Sequence, residues 1–338
     1  MTYEEVVKVA RGCIGDKCFA CPICNGKACG NKLPGPGSKG IGDTATRNYE
    51  AWRKIYLNMD TICENKEIDT SVELFGKSFA YPFFAGPVGA VQLHYSDKYS
   101  DITYNDTLVS ACSQCGVAAF TGDGVNPDVM VGATRAIKAV GGLGIPTIKP
   151  WNIETIAEKM ELVAQSDAFA VAMDIDAAGL PFLKNMTPPA GSKTVEELKE
   201  IIGLAKVPFI VKGVMGVKGA LKAKEAGASA IVVSNHGGRV LDGCAATADV
   251  LEEIVAALGD SMKIFVDGGI RTGGDVFKAL AMGAHGVIIA RPFVTAVYGG
   301  GAEGVEAYTN KIGEELRDTM AMCGAANIAE ITRDMIRR

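Results

Sequence analysis

The sequence predicts an α/β protein: a (β/α)8 TIM barrel with a cysteine-rich N-terminal extension and a C-terminal helical tail. Three observations carry this. The first is a series of short, nearly continuous apolar runs, each closed by Gly, Pro or a polar residue: "PFFAGPV", "GVAAFTGDG", "GIPTIKP", "AFAVAMDID", "PFIVKGV", "AIVVSNHGG", "IFVDGGI" and "GVIIARP". Runs of this kind suit strands buried on both faces of a parallel sheet. The second is the set of intervening segments, such as "TVEELKEIIGLA", "VKGALKAKEAGA", "TADVLEEIVAALGD" and "TGGDVFKALAMGA", with apolar residues at helical spacing. The third is the alternation itself, whose strand count favours a closed barrel over an open doubly wound sheet.

In chain order, residues 1–75 form the extension, with its cysteine-rich segment at 13–29, and residues 76–338 form the barrel and C-terminal helices. The stretch "AAGLPFLKNMTPPAGSK" after the fourth strand has the composition of a surface loop or lid. A hydrophobic content of 48% is ample for a core, and the net charge of -5 argues against a nucleic-acid partner. No apolar run approaches the roughly 20 residues that span a bilayer. The N-terminus "MTYEEVVKVARGC" is charged and amphipathic, without the apolar region of a signal peptide. A soluble cytoplasmic protein is expected. The 41 glycines point to tight turns and close backbone approaches to a ligand.

Barrels of this kind do chemistry at the C-terminal ends of their strands. Those ends read Pro87, Thr121, Lys149, Asp174, Lys212, His236, Asp267 and Arg291. The last two strands close in "DGGIRTGGD" and "ARP", where Gly268, Gly269, Ala290 and a helix start offer amides and Arg271 and Arg291 offer charge to a phosphate. The bland alternative is a glycine-rich turn that binds nothing. His236 and Arg239 form a second constellation. An arginine clamps a carboxylate in a bidentate fork, and a histidine beside it takes a proton from the same substrate. An isolated histidine would be read as a turn cap. Asp174 is a candidate to hold the imidazole, although "DID" also offers Asp176. Lys212 ends an apolar strand, so its ammonium must meet an anion or an electron-rich ligand atom.

Together these residues resemble the FMN-dependent 2-hydroxy-acid oxidases and dehydrogenases, the family of glycolate oxidase and lactate oxidase. The resemblance spans about residues 40–325 and is strongest in "PFIVKGV", "AGASAIVVSNHGGRVLDG", "IFVDGGIRTGGDVFKALAMGAHGV" and "ARP", with "AGPVGA" and "GDTATRNYEAW" similar in the first half. It implies a barrel carrying FMN. His236 would be the base and Arg239 the carboxylate clamp, with Asp174 supporting His236. Lys212 would lie near the flavin ring. Pro87, Val88 and Gly89 would touch the ring through their backbone, with Thr121 and Ser234 also at the cofactor. Asp267, Gly268, Gly269, Arg271, Ala290 and Arg291 would hold the ribityl phosphate end. The reaction would oxidise a small 2-hydroxy acid to the 2-keto acid and pass its electrons through FMN to an unidentified acceptor, in a homo-oligomer.

The chain departs from the family pattern in its substrate shell. The third strand, "GIPTIKPWN", lacks the expected glutamine and tyrosine, and "AAGLPFLKN" lacks a second substrate arginine. Lys149 is the candidate substitute charge. The cysteine-rich segment reads "CIGDKCFACPICNGKAC", with Cys18, Cys21, Cys24 and Cys29 at spacings that resemble iron–sulfur ligation and also suit zinc. An iron–sulfur cluster near FMN would give electrons an exit other than oxygen. Free thiols are the plain alternative. Two competing functions share the barrel: another FMN enzyme of altered substrate, such as the type 2 isopentenyl-diphosphate isomerase, and a flavin-binding sensor or electron relay. Retention of both His236 and Arg239 argues against each.

Overall fold

A computed structural model describes residues 1–181, 183, 187 and 189–338. Phe182, Lys184, Asn185, Met186 and Pro188, all in the expected loop or lid, lie outside the described residues.

The apolar runs form eight parallel strands, β1 (Phe83–Ala85), β2 (Ala119–Thr121), β3 (Gly144–Ile148), β4 (Val171–Asp174), β5 (Phe209–Val214), β6 (Ala230–Val233), β7 (Lys263–Asp267) and β8 (Gly286–Ile289). Each pairs with its neighbour in the chain, β8 pairs β1, and the barrel is closed. Every residue of β1–β4, β6 and β8 is buried, as expected of strands covered on both faces. The barrel interior is filled by Phe84, Phe120, Ile145, Ile210, Val232, Phe265 and Ile288. Phe79, from the antiparallel hairpin Val72–Leu74 and Lys77–Phe79, meets Phe84 edge to face at 5.1 Å and plugs one end.

The helices expected between later strands are present at Val195–Leu204, Val217–Glu225, Thr247–Leu258 and Gly273–Ala281. Thr194 and Thr272 close capping boxes with Glu197 and Asp275, which fixes where the first and last of these start. The tail helix begins at Arg291, directly on β8, and runs to Cys323 with a kink where Gly301 takes φ 57°. The N-terminal helix Tyr3–Arg11 packs along it through Val6 and Val7. Among the described residues no helix is long and apolar enough to cross a membrane.

Candidate active site

A cavity of about 320 Å³ opens at the C-terminal ends of the strands. Pro87, Val88, Gly89, Lys149, Lys212, His236, Arg239, Asp267, Gly268, Gly269, Arg271, Ala290 and Arg291 line it. Asp174, Ser234 and Thr121 stand behind that wall, each buried.

His236 sits where β6 ends, at φ 55°, a left-handed conformation uncommon for a residue with a side chain. Its Nδ1 lies 3.0 Å from Asp176 Oδ1, and its backbone N–H donates to Ser234 Oγ at 3.1 Å. The carboxylate on the imidazole is therefore Asp176, and the expectation of Asp174 is corrected. Asp174 ends β4 in register with Lys212 of β5. Its oxygens are taken by Lys149 Nζ at 2.6 Å and Lys212 Nζ at 2.9 Å. Asp176 follows in the turn Ile175–Gly179 and reaches the imidazole over Gly213. Gly213 takes φ +104° at an irregularity in β5, and a Cβ there would collide with the Asp176 carboxyl group. With Nδ1 engaged, Nε2 is the ring atom left for the cavity.

Lys149, Lys212 and Asp174, all buried, and the partly buried Asp267 form one ionic group. Burial alone would raise the Asp174 carboxyl, but Lys149 and then Lys212 hold it far below the usual range. Burial would lower Lys212, but Asp174 and then Asp267 hold it up, so it stays charged. Lys149 thus lines the cavity with its ammonium already on a carboxylate. Asp267 is raised by burial, which Lys212, 3.5 Å away, only partly offsets. Ser234 Oγ donates to Asp267 at 2.9 Å, so Ser234 links the base to this group from behind instead of facing the cavity.

Arg239 and Arg291 are the opposite case. Neither lies within ion-pair distance of a carboxylate among the described residues. Arg239 donates to the carbonyls of Gly35 and Gly37 at 2.5 and 3.2 Å, and Arg291 to that of Pro36 at 3.3 Å. Two partly buried guanidiniums held by carbonyls beside a cavity are suited to an anion. The loop carrying these carbonyls is the "KLPGPGSKG" stretch. It is tied down by Lys39 N–H on Gly238 and Ser38 Oγ on Gly237. His94 joins the same group, accepting from Gly35 N–H at 3.1 Å with Arg239 Nη2 3.3 Å from its Nε2. Burial, then the charge of Arg239, pushes its pKa down to about 3.

The residues expected at the phosphate end all line the cavity, but the two helix starts there differ. The helix that follows β7 has its first amides occupied: Asp275 accepts from Arg271 and Thr272 N–H, and Glu315 from Gly273 N–H. Arg271 lines the cavity, but its guanidinium bonds the carbonyls of Cys24 and Ile270, both at 2.5 Å. The helix that follows β8 has no side-chain cap at Ala290; Pro292 has no N–H and Phe293 N–H is on the Ala290 carbonyl, so what this end offers an anion is the Arg291 N–H and guanidinium. Gly268 and Gly269 line this end at φ +88° and +84°. A Cβ on Gly269 would strike the Asn48 backbone, so the glycine there serves helix packing as well as the cavity wall.

Several residues that position the site escaped the sequence reading. Asp123 accepts from Lys149 N–H, Trp151 Nε1 and Lys159 Nζ at 2.7–3.0 Å and fixes the end of β3. Asn48 of the helix Thr44–Arg53 exchanges two amide hydrogen bonds with Asn235, at 2.8 and 2.9 Å. The extension thereby clamps the residue before the base. Its signal was the polar Asn in an otherwise family-like segment.

The fold and this geometry agree with what the chain is similar to. The model of the FMN-dependent dehydrogenases matches residues 36–122 and 99–338. The peroxisomal (S)-2-hydroxyacid oxidase GLO3 of Arabidopsis thaliana is 30% identical over 329 residues, 87% of this chain and 88% of that protein. The L-lactate oxidase of Roseobacter sp. is 42% identical over 143 residues, 42% of this chain and 39% of that one. The solved structure of mandelate oxidase with (S)-2-phenylpropionate superposes with a TM-score of 0.80 at 25% identity, covering 99% and 97% of the two chains. The chain belongs to the FMN-dependent dehydrogenase family. It is a flavoenzyme, an oxidoreductase whose cofactor is FMN.

The residues present fit that group. Asp267 Oδ1 and Thr121 Oγ1 are buried at the strand ends without a partner among the described residues, acceptors suited to a polyhydroxylated ligand. The uncapped Ala290–Arg291 pole suits its phosphate, and the charged Lys212 suits an electron-rich ring edge.

Proposed function

We propose that the protein oxidises a small 2-hydroxy acid to the 2-keto acid, with His236 as base and Arg239 as carboxylate clamp. The observation that carries this is the pairing, across one cavity, of an imidazole braced by Asp176 with a guanidinium that has no carboxylate partner among the described residues. The relatives' names, hydroxyacid oxidase and lactate oxidase, support the same substrate class.

Pro87–Gly89, Lys212, Asp267, Gly268, Gly269, Ala290 and Arg291, which line the cavity, would hold FMN, which would supply the acceptor for the substrate's two electrons. The protein's residues do the rest. Arg239 fixes the substrate carboxylate in a two-point contact, which sets the carbinol group toward His236. His236 Nε2 takes the proton, and Asp176 on Nδ1 holds the tautomer that leaves Nε2 basic and stabilises the imidazolium formed. Lys212 keeps a positive charge where negative charge develops. His94, held neutral, adds no competing charge beside the carboxylate. A cytoplasmic location suits ten cysteines that are all unpaired.

The test is anaerobic spectroscopy of the purified flavoprotein mixed with lactate, glycolate and larger 2-hydroxy acids. Bleaching of the flavin bands by one of them supports the reading. Bleaching by none transfers support to a flavin relay.

A further inference from the structure

Residues 12–43 contain no helix or strand, a length at which an irregular segment needs another source of order. Four of the thiols in it are mutual neighbours. Cys18 interacts electrostatically with Cys21, Cys24 and Cys29, Cys21 with Cys24 and Cys29, and Cys29 with Cys24. Cys13 stands apart, with its sulfur on the Val9 and Tyr298 carbonyls and 3.4 Å from Lys98 Nζ. The fold thus selects four sulfurs from the five in the stretch, at the spacing C-x2-C-x2-C-x4-C.

Their surroundings are those of an anionic centre. Arg271 Nη2 lies 3.8 Å from Cys24 Sγ, Arg11 is a charged neighbour of Cys21, and Arg291 and Arg239 are charged neighbours of Cys29. The backbone N–H of Ala20 faces the Cys18 sulfur, in the manner of amides that support thiolate ligands.

We propose that Cys18, Cys21, Cys24 and Cys29 ligate an iron–sulfur cluster, seated over the end of the cavity formed by Arg271 and Arg291. Zinc fits less well. Zn–S bonds of about 2.3 Å at tetrahedral angles bring sulfurs within about 4 Å of one another. Among the described residues, the one group of three or more ligand atoms within 4.8 Å is Asp174, Asp176 and His236, so no three of these sulfurs are that close. A polynuclear cluster holds its cysteines further apart.

The full-length chain, purified anaerobically and then incubated with ferrous iron and sulfide, should carry iron and acid-labile sulfide in equal amounts, about four of each for a cubane cluster. It should also give an electron paramagnetic resonance signal on reduction with dithionite. Cys24→Ser and Cys29→Ser should lose most of that iron and the signal while keeping FMN content, and Cys13→Ser should keep both. Stoichiometric zinc without sulfide, no metal after reconstitution, or full iron retention in the Cys24 and Cys29 variants would each overturn the proposal. None of these readouts depends on turnover, so the outcome is independent of the substrate reading.

Discussion

Asp176 Oδ1 lies 3.0 Å from His236 Nδ1, while Asp174, two residues earlier, is held between two lysines. The two carboxylates have separate duties. Asp176→Asn should lower kcat by about 10²–10⁴-fold, because the amide no longer fixes the tautomer or stabilises the imidazolium. FMN content should stay unchanged. Steady-state kinetics with a flavin assay on the same samples checks this.

Gly213→Ala should behave like a mild Asp176→Asn. A methyl group at φ +104° is strained and displaces the Asp176 carboxyl group, although no reacting group is removed. Comparing kcat with the melting temperature separates lost orientation from lost stability.

Arg239→Lys should raise KM for the 2-hydroxy acid by about 10–100-fold, since an ammonium cannot make the two-point contact. It should act on substrate more than on flavin binding. Substrate titration of the variant reads the change directly.

Lys149→Met should lower the melting temperature. Breaking a buried ion pair costs about 3–5 kcal/mol when a charge is stranded, and less here because Lys212 remains on Asp174. If Lys149 instead binds substrate, the variant will shift substrate preference with little change in stability. Thermal unfolding and a substrate panel distinguish the two.

His94 makes acid stability readable. Its folded pKa, about 3, lies below the ordinary 6.5, so the unfolded chain takes up a proton that the folded chain refuses. Stability from this group is complete above about pH 6.5 and falls with pH toward 3, by at most about 1.4 kcal/mol per pH unit. His94→Gln keeps an acceptor for Gly35 and should flatten that slope between pH 6.5 and 4. Parallel melting curves across this range test it.

Much of the barrel was legible because a strand buried on both faces leaves a continuous apolar run, as "AIVV" does for β6. The placement of Lys212, His236 and Arg239 at the cavity was legible, since a charge closing such a run has few other uses. The choice between Asp174 and Asp176 was not. It depends on Lys149 and Lys212 from two other strands and on the space left by Gly213. The occupied amides of the helix after β7 were not legible for a similar reason. Glu315, a distant helix residue, caps Gly273, and no local pattern announces that contact. His94 reaches Arg239 from a short helix beyond β1, a neighbour that only the closed fold supplies.

The central claim is that His236 takes the substrate proton. Its most direct test is anaerobic stopped-flow reduction of the bound flavin by the best 2-hydroxy acid, comparing the parent protein with His236→Gln. Flavin content should be equal, and the reduction rate should be lower by at least about 10³-fold in the variant. Flavin reduction by His236→Gln at the parental rate would contradict that role for His236.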